Sequence, residues 1–466
     1  VGTVIKQLVT ILATIYVARQ LSPNDYSIAG VSLAVMGTFT VLTAQGFALA
    51  LIQRENLDDL TSHSVFWLML VVGLLLGSLA ILLASPIAAF YQRPELVQII
   101  WILVASLLIN MLGAVPNALL ERALRFKELN IITVVCAILS AITGILLAWL
   151  GYGYWALIIP AVVLSIVTTV GAFLVSGFRP KWLFSIAQVR ALSPFGLSLL
   201  GSNLVLYLND NGDYLIMSRF WGVTDFGNYY FAFERSRQPF NLLMSQLNRV
   251  IFPAFSQIQK DVDLLRKAII VGTRHFCIIV FPLYVILIGF ADPFVPWIFG
   301  EQWRPAIPVF QVFSVFAFAR AFAVLVPGTL LAINRPQAHL IFNLFRAIVI
   351  LPTLFILGFN NANILTTSFV LLLIWILQLP FFVGYLFRKI GIDLKTAWLE
   401  FRKLLFATII MAISMEISKI ALNELGLNLV GVVGFGLLIA LSVFLSLVWR
   451  EYELLLRQIR QIMKKS

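Results

Sequence analysis

The chain has 466 residues, of which 61% are hydrophobic and only 12% charged, with a net charge of +12. A soluble domain carries roughly 25% charged residues, so a water-exposed globular fold is excluded and the bilayer is the solvent for most of the chain. The basic excess would suggest nucleic acid in a soluble protein. Here the basic residues sit in short loops, so membrane topology accounts for them and no nucleic-acid partner is expected.

The apolar stretches are each about 20 residues long, which suits a hydrocarbon layer of roughly 30 Å. They are continuous rather than alternating, so helices and not barrel strands satisfy the backbone. The spacing predicts spans at 2–19, 27–52, 65–84, 96–118, 130–150, 154–176, 195–218, 227–255, 272–292, 307–333, 338–358, 364–387, 403–421 and 429–449. The chain starts at Val1 without a methionine and opens directly on helical sequence, so a short preceding segment is expected. Thr3, Lys6, Gln7, Thr10 and Thr14 interrupt the first span, which argues against a signal peptide. The basic run SQIQKDVDLLRKAIIV at 256–271 reads as an amphipathic helix on the cytoplasmic surface.

Loop charges test this count. With the N-terminus in the cytoplasm, twenty-two lysines and arginines fall on the cytoplasmic side, and only Arg19, Arg93, Arg219 and Arg304 on the other. The bias alternates in phase through every loop and gives cytoplasmic N- and C-termini.

The sequence also repeats itself at roughly 200 residues. ARQLSPNDY at 18–26 matches SRFWGVTDF at 218–226. SPIAAFYQRPEL at 85–96 resembles DPFVPWIFGEQWRPA at 292–306, and LLERALRF at 119–126 falls where LLAINRPQ does at 330–337. The expected organisation is all-α: an N-lobe of six helices over 1–178, a C-lobe of six over 192–387, two further helices over 403–449, and a basic cytoplasmic tail over 450–466. Each lobe has an even number of helices, so the repeats are parallel, as in two-lobed transporters.

Ionised side chains inside the bilayer cost about 2.5–3.5 kcal/mol each and need a partner, water or a function. The clearest case is the span 227–255. At 100° per residue Tyr230, Glu234, Arg237, Gln238, Asn241, Ser245, Asn248 and Arg249 share one face, and Phe233, Phe240, Leu243, Met244, Leu247, Val250 and Ile251 another. Arg235 lies off the stripe, near Gln246. The first span repeats the pattern weakly through Thr3, Lys6, Gln7, Thr10 and Thr14, and the span 195–218 through Ser198, Ser202, Asn209 and Asp213. Such faces line an aqueous cavity or a protein interface, and a cleft between two lobes would be built this way. A purely structural alternative is that Glu234 neutralises Arg237 at i,i+3 and the pair locks helices together. That leaves Arg235 and Lys6 unexplained. Excess positive charge in a wet face suits an anionic ligand such as a pyrophosphate, whose oxygens match the arginine fork.

Other polar residues read as structural. Arg320 and Arg346 are expected to pack or snorkel. Lys419 with Glu416 forms a local pair, and Gly73 with Gly77 forms a helix-packing motif. Cys136 and Cys277 stand alone in apolar runs, and His63, His275 and His339 are scattered, so neither a disulfide framework nor a metal site is expected. No catalytic constellation and no phosphate-binding glycine loop is present, which argues against an enzyme, a cofactor and an ATP motor.

The runs VARQLSPNDYSIAGVSL, GFALALIQRENL, SPIAAFYQRPEL, LERALRFKELN, GYGYWAL, GVTDFGNYYFAFE, FPAFSQIQKD and FGEQWRPA, in this order over nearly the whole chain, resemble the lipopolysaccharide and exopolysaccharide flippases. The likeness is greatest to the colanic-acid-type branch of the multidrug/oligosaccharidyl-lipid/polysaccharide transporter superfamily. The resemblance implies a fourteen-helix transporter of the bacterial inner membrane. It also implies an undecaprenyl-pyrophosphate-linked repeat unit as substrate and alternating access as mechanism, in company with polysaccharide polymerase machinery. Relatives use a cationic central cavity, for which Lys6, Arg235 and Arg237 are the residues placed here. Glu234, Gln238, Asn241 and Asp213 would contact sugars or tune the arginines. Where relatives tend to carry an acidic residue before the glycine of GFALALI, this chain has Gln45. A cation-coupled multidrug exporter of the same superfamily is the alternative, kept open by Asp210, Asp213 and Glu234. A glycan polymerase or ligase is disfavoured by short, nearly uncharged external loops.

Overall fold

The computed structural model describes residues 2–43, 45–54, 57–258, 261–424 and 429–463. Its described residues form helices and no strand. In chain order these are α1 (Gly2–Gln20), α2 (Pro23–Leu42), α3 (Gln45–Gln53), α4 (Asp59–Tyr91), α5 (Leu96–Arg122) and α6 (Phe126–Trp149). Next come α7 (Trp155–Ser176), α8 (Ile186–Phe220), α9 (Val223–Ile258), α10 (Val262–Gly289), α11 (Ala291–Phe299) and α12 (Ile307–Arg320). The last are α13 (Val326–Ala332), α14 (Pro336–Phe359), α15 (Ile364–Ile390), α16 (Leu394–Glu424) and α17 (Leu429–Met463).

Every one of the fourteen expected spans falls on a helix. Among the described residues, twelve spans are long and apolar enough to cross a membrane. The remaining two expected spans are α1 and α9, and in α9 the polar residues lower the mean hydropathy.

Two spans are broken in their interior, and a third, 272–292, passes from α10 into α11 at Phe290. The span 27–52 divides where Thr43 ends α2, its N–H bonding the carbonyls of Phe39 and Thr40. Beyond it α3 packs tightly on α8: a Cβ on Gly46 would lie 2.8 Å from the Gly196 carbonyl oxygen, and one on Gly196 would lie 2.6 Å from the Phe47 ring. The span 307–333 divides at a 3-10 turn, Ala321–Ala323, before Pro327, where proline disfavours a continuous ladder. Among the described residues of the run 256–271, residues 256–258 end α9 and 262–271 open α10 rather than forming a separate surface helix. The Asp261 side chain instead caps α10 by accepting from the Leu264 N–H, and α10 then runs unbroken from Val262 into its span. Gln259 and Lys260 lie outside the described residues, as do Lys464, Lys465 and Ser466 of the tail, while α17 carries the rest of it on to Met463.

The chain forms two compact units, one of Val1–Tyr230 with Leu351–Ala362 and one of Phe231–Ile350 with Asn363–Ser466. In the first, α4 and α5 meet at the Gly73–Gly77 motif. A Cβ on Gly73 would lie 2.8 Å from Met111, and one on Gly77 3.0 Å from Val104. Small polar groups join α5 to α7: the Ser106 and Ser165 hydroxyls are 2.6 Å apart, and Thr169 donates to the Ile109 carbonyl at 2.9 Å. Arg93, between α4 and α5, is buried, donates to Ser27 and covers the Phe226 ring at 5.6 Å. Burial pushes its pKa down to about 10, which still leaves it cationic at neutral pH.

In the second unit α10 is central, with Phe276, Phe281 and Tyr284 buried among residues of α12, α16 and α17. Lys419 pairs with Glu416 at 2.8 Å and donates to the Gly289 carbonyl at the end of α10, which makes it a helix-end cap.

Left-handed residues punctuate the chain at matching places. Leu124 (φ 54°) and Asn334 (φ 56°) each break the helix in the same way. In both cases the next residue's N–H returns to the carbonyl five residues earlier, Arg125 to Leu120 at 3.0 Å and Arg335 to Leu330 at 2.8 Å. Gly151 (φ 77°) and Asn361 (φ 52°) stand at the same interval and are followed by the same return bond, Tyr152 to Leu147 and Ala362 to Leu357. These are the Schellman geometry of helix C-termini.

Candidate functional site

The charged stripe of α9 lies on a helix that packs through Phe231 and Phe240. Phe231 stacks on Trp303 with centroids 3.8 Å apart and planes 12° apart, and Phe240 meets Phe276 edge to face at 5.6 Å. With that side fixed, Glu234, Arg237, Gln238 and Asn241 share the other face, half-buried except for Asn241, which is exposed.

Glu234 and Arg237 form the i,i+3 ion pair that the spacing allows, at 2.7 Å, with side chains 23% and 26% exposed. The Arg237 guanidinium also lies 4.9 Å from the centre of the Phe233 ring, a cation–π contact. Arg235 turns toward the stripe rather than toward Gln246. Its guanidinium donates to the Gln238 side-chain oxygen at 2.9 Å. Among the described residues Arg235 has no carboxylate partner, so this stretch carries one net positive charge after Glu234 and Arg237 cancel.

Asp213 and Lys6 belong to the other unit. Asp213 is buried on α8 and accepts from the Tyr229 hydroxyl at 2.7 Å, a partner that sequence reasoning missed. The α8 stripe runs from an exposed end at Ser198 to this buried end. Lys6 is exposed on α1 with no ion pair among the described residues. Thr10, one turn on, folds its hydroxyl back on the Lys6 carbonyl at 2.9 Å. Ala13 and Val17, farther along the same side of α1, are buried, so the wet face covers only the first half of that helix.

Of the embedded residues read as structural, Arg320 lies over the Phe240 ring at 5.1 Å. Cys136 and Cys277 are free and buried. Among the described residues no group of three histidine, cysteine, aspartate or glutamate side chains is placed to hold a metal.

The chain is thus a helical membrane protein with a charged stretch on α9. Residues 16–308, more than half of the chain, match the family described as polysaccharide biosynthesis protein, and the chain belongs to that family. It is similar to the succinoglycan biosynthesis transport protein ExoT of Rhizobium meliloti (strain 1021), 28% identical over 64% of this chain and 60% of that protein. It is also similar to the lipopolysaccharide biosynthesis protein WzxC of Escherichia coli (strain K12), 27% identical over 78% of this chain and 75% of that one. The match thus spans about 60% of the length of the first of these relatives. Among solved structures, the lipid II flippase MurJ in an inward closed conformation superposes with a TM-score of 0.76 at 15% identity, over 98% of each chain. An inward-facing multidrug resistance MATE family transporter superposes with a TM-score of 0.56 at 16% identity, over 81% of this chain and 96% of that one. At such identities the likeness is one of fold. The protein is a multi-pass bacterial membrane protein.

Proposed function

We propose that this protein flips undecaprenyl-pyrophosphate-linked oligosaccharide repeat units across the bacterial inner membrane by alternating access, for polysaccharide biosynthesis. The observation that carries this reading is Arg235, a half-buried guanidinium whose hydrogen-bond partner is neutral Gln238. Beside it Glu234 balances Arg237. A half-buried cation of this kind offers its fork to a phosphate or pyrophosphate oxygen. Lys6, exposed on α1, supplies a second cation. Glu234, Gln238, Asn241 and Asp213 serve as sugar contacts or hold the arginines in place. The relatives support the reading, because their names tie them to succinoglycan transport and lipopolysaccharide biosynthesis.

The chain is organised as lobes 1–178 and 192–387, helices over 403–449 and a tail over 450–466. The matched left-handed breaks at Leu124 and Asn334 and at Gly151 and Asn361 support that division. Both termini are cytoplasmic, which the alternating loop charges support, and the polysaccharide polymerase machinery receives the flipped product. The multidrug-exporter alternative requires a carboxylate available to a cation, and the Glu234 carboxylate is engaged by Arg237.

Complementation tests the proposal. In a strain lacking its own repeat-unit flippase, wild type restores surface polymer and Arg235→Ala does not at matched membrane levels. Failure of wild type with several different glycans overturns the reading.

A further inference from the structure

α9 contains Pro239 in its interior, between Gln238 and Phe240. Proline supplies no N–H to the Arg235 carbonyl, and its ring crowds that carbonyl. At the next rung, the Ser236 carbonyl and the Phe240 N–H would ordinarily pair with each other. Here the Tyr284 hydroxyl of α10 engages both: it accepts from the Phe240 N–H at 3.1 Å and donates to the Ser236 carbonyl at 2.8 Å. Tyr284 is fully buried and Phe240 nearly so. The Ser236 hydroxyl bonds back to the Phe233 carbonyl at 3.1 Å, a contact that bends helices. A side chain inserted in the ladder beside a proline is an established cause of a kink.

The place of this rung gives it a role. Glu234, Arg235 and Arg237 lie before Pro239 and Asn241 lies after it. The state of the rung therefore sets how the cationic part of the stripe is turned relative to its continuation. We propose that Tyr284 is a positioning residue: its hydroxyl holds the 236–240 rung open and so fixes the direction in which the Arg235 and Arg237 guanidiniums are presented to the anionic group of the substrate. The proposal rests on the flippase reading for its functional consequence, and its structural half stands apart from it. Without the hydroxyl the Phe240 N–H and the Ser236 carbonyl lose their shared partner, and the guanidiniums are no longer held in one direction.

The test uses the full-length protein with Tyr284→Phe, Pro239→Ala and the double substitution. Polymer restoration is measured at matched membrane levels, and amide hydrogen exchange of the peptide covering 236–244 is measured on purified protein. Tyr284→Phe is expected to keep the fold, to speed Phe240 exchange at least tenfold and to lower transport about tenfold. Pro239→Ala in the Tyr284→Phe background is expected to restore Phe240 protection, because the alanine supplies the missing N–H and the ladder closes, while transport stays low. Wild-type transport by the double variant overturns the proposal, since the hydroxyl would then only repair the proline. Wild-type transport by Tyr284→Phe alone overturns it as well. If wild type itself transports nothing, the flippase reading has failed. Exchange then decides the bridge, and an unchanged Phe240 rate in Tyr284→Phe contradicts it.

Discussion

The Glu234 carboxylate meets the Arg237 guanidinium at 2.7 Å, with both side chains about three-quarters buried. The pair is local and cancels its own charge, so the two substitutions that break it have unlike effects. Glu234→Gln keeps a hydrogen-bonding oxygen and adds positive charge to the stripe. It is expected to cost about 1–2 kcal/mol in stability, the range between exposed and buried pairs, and to leave transport within about threefold of wild type. Arg237→Gln removes a cation and is expected to lower transport at least tenfold. Polymer restoration at matched membrane levels, with thermal unfolding in detergent, separates the two.

Arg235 is expected to be the more sensitive cation for transport and the less sensitive one for folding. Its guanidinium bonds the neutral Gln238 side chain, so Arg235→Ala loses one hydrogen bond internally, about 0.5–1.5 kcal/mol. It also loses a charge-assisted contact to the ligand, about 1.5–3 kcal/mol, or roughly tenfold to a hundredfold in transport. Arg235→Lys keeps the charge but not the planar fork and is expected to fall between. Initial rates of transport for the three proteins check the order.

Two glycines of the first unit make a paired stability prediction. A Cβ on Gly227, near the start of α9, would lie 1.8 Å from the Pro23 carbonyl oxygen, a backbone atom of α2 that cannot swing away. Gly227→Ala is expected to destabilise by about 3 kcal/mol or more, the upper range for overpacking. Nothing lies within 4 Å of a Cβ on Gly201, inside α8, so Gly201→Ala is expected to stabilise by about 0.5–1 kcal/mol through helix propensity. Thermal unfolding of the two variants beside wild type decides.

Acid sensitivity has a local source at Asp58, which caps α4 by accepting from the Thr61 N–H at 3.0 Å. Its side-chain and backbone bonds to Thr61 hold the carboxyl below the usual range. A carboxyl with a depressed folded pKa contributes stability that is fully present above the unfolded value and is lost as pH falls through the folded value. Asp58→Asn caps the helix without titrating. Its unfolding temperature is therefore expected to fall less steeply than that of wild type below about pH 4.

The fourteen helices are legible in the sequence because bilayer thickness fixes their length and loop charge fixes their phase. α9 is legible for the opposite reason, as a span too polar to face lipid. The Glu234–Arg237 pair is readable too, because i,i+3 neighbours meet on any helix. The Arg235–Gln238 contact follows the same i,i+3 rule, although the Arg235 Cβ leaves the helix off the stripe. Tyr229 on Asp213 and Tyr284 on the Ser236–Phe240 rung are not legible at all. Each depends on which helices pack together, and a tyrosine in an apolar run gives no sign of where its hydroxyl goes. The close approach of Gly46 to Gly196, beyond the break in the span 27–52, is likewise not legible.

The most direct measurement is flipping by the purified protein in liposomes. A polyprenyl-pyrophosphate oligosaccharide is placed in the bilayer, and the fraction of its sugar open to an impermeant oxidant outside is followed with time. Wild type is expected to bring the whole pool within reach, while Arg235→Ala liposomes, at equal protein content, stay close to the protein-free half. Equal flipping by wild type and Arg235→Ala would contradict the role of the α9 stripe, and no flipping by wild type of any such lipid would contradict the function itself.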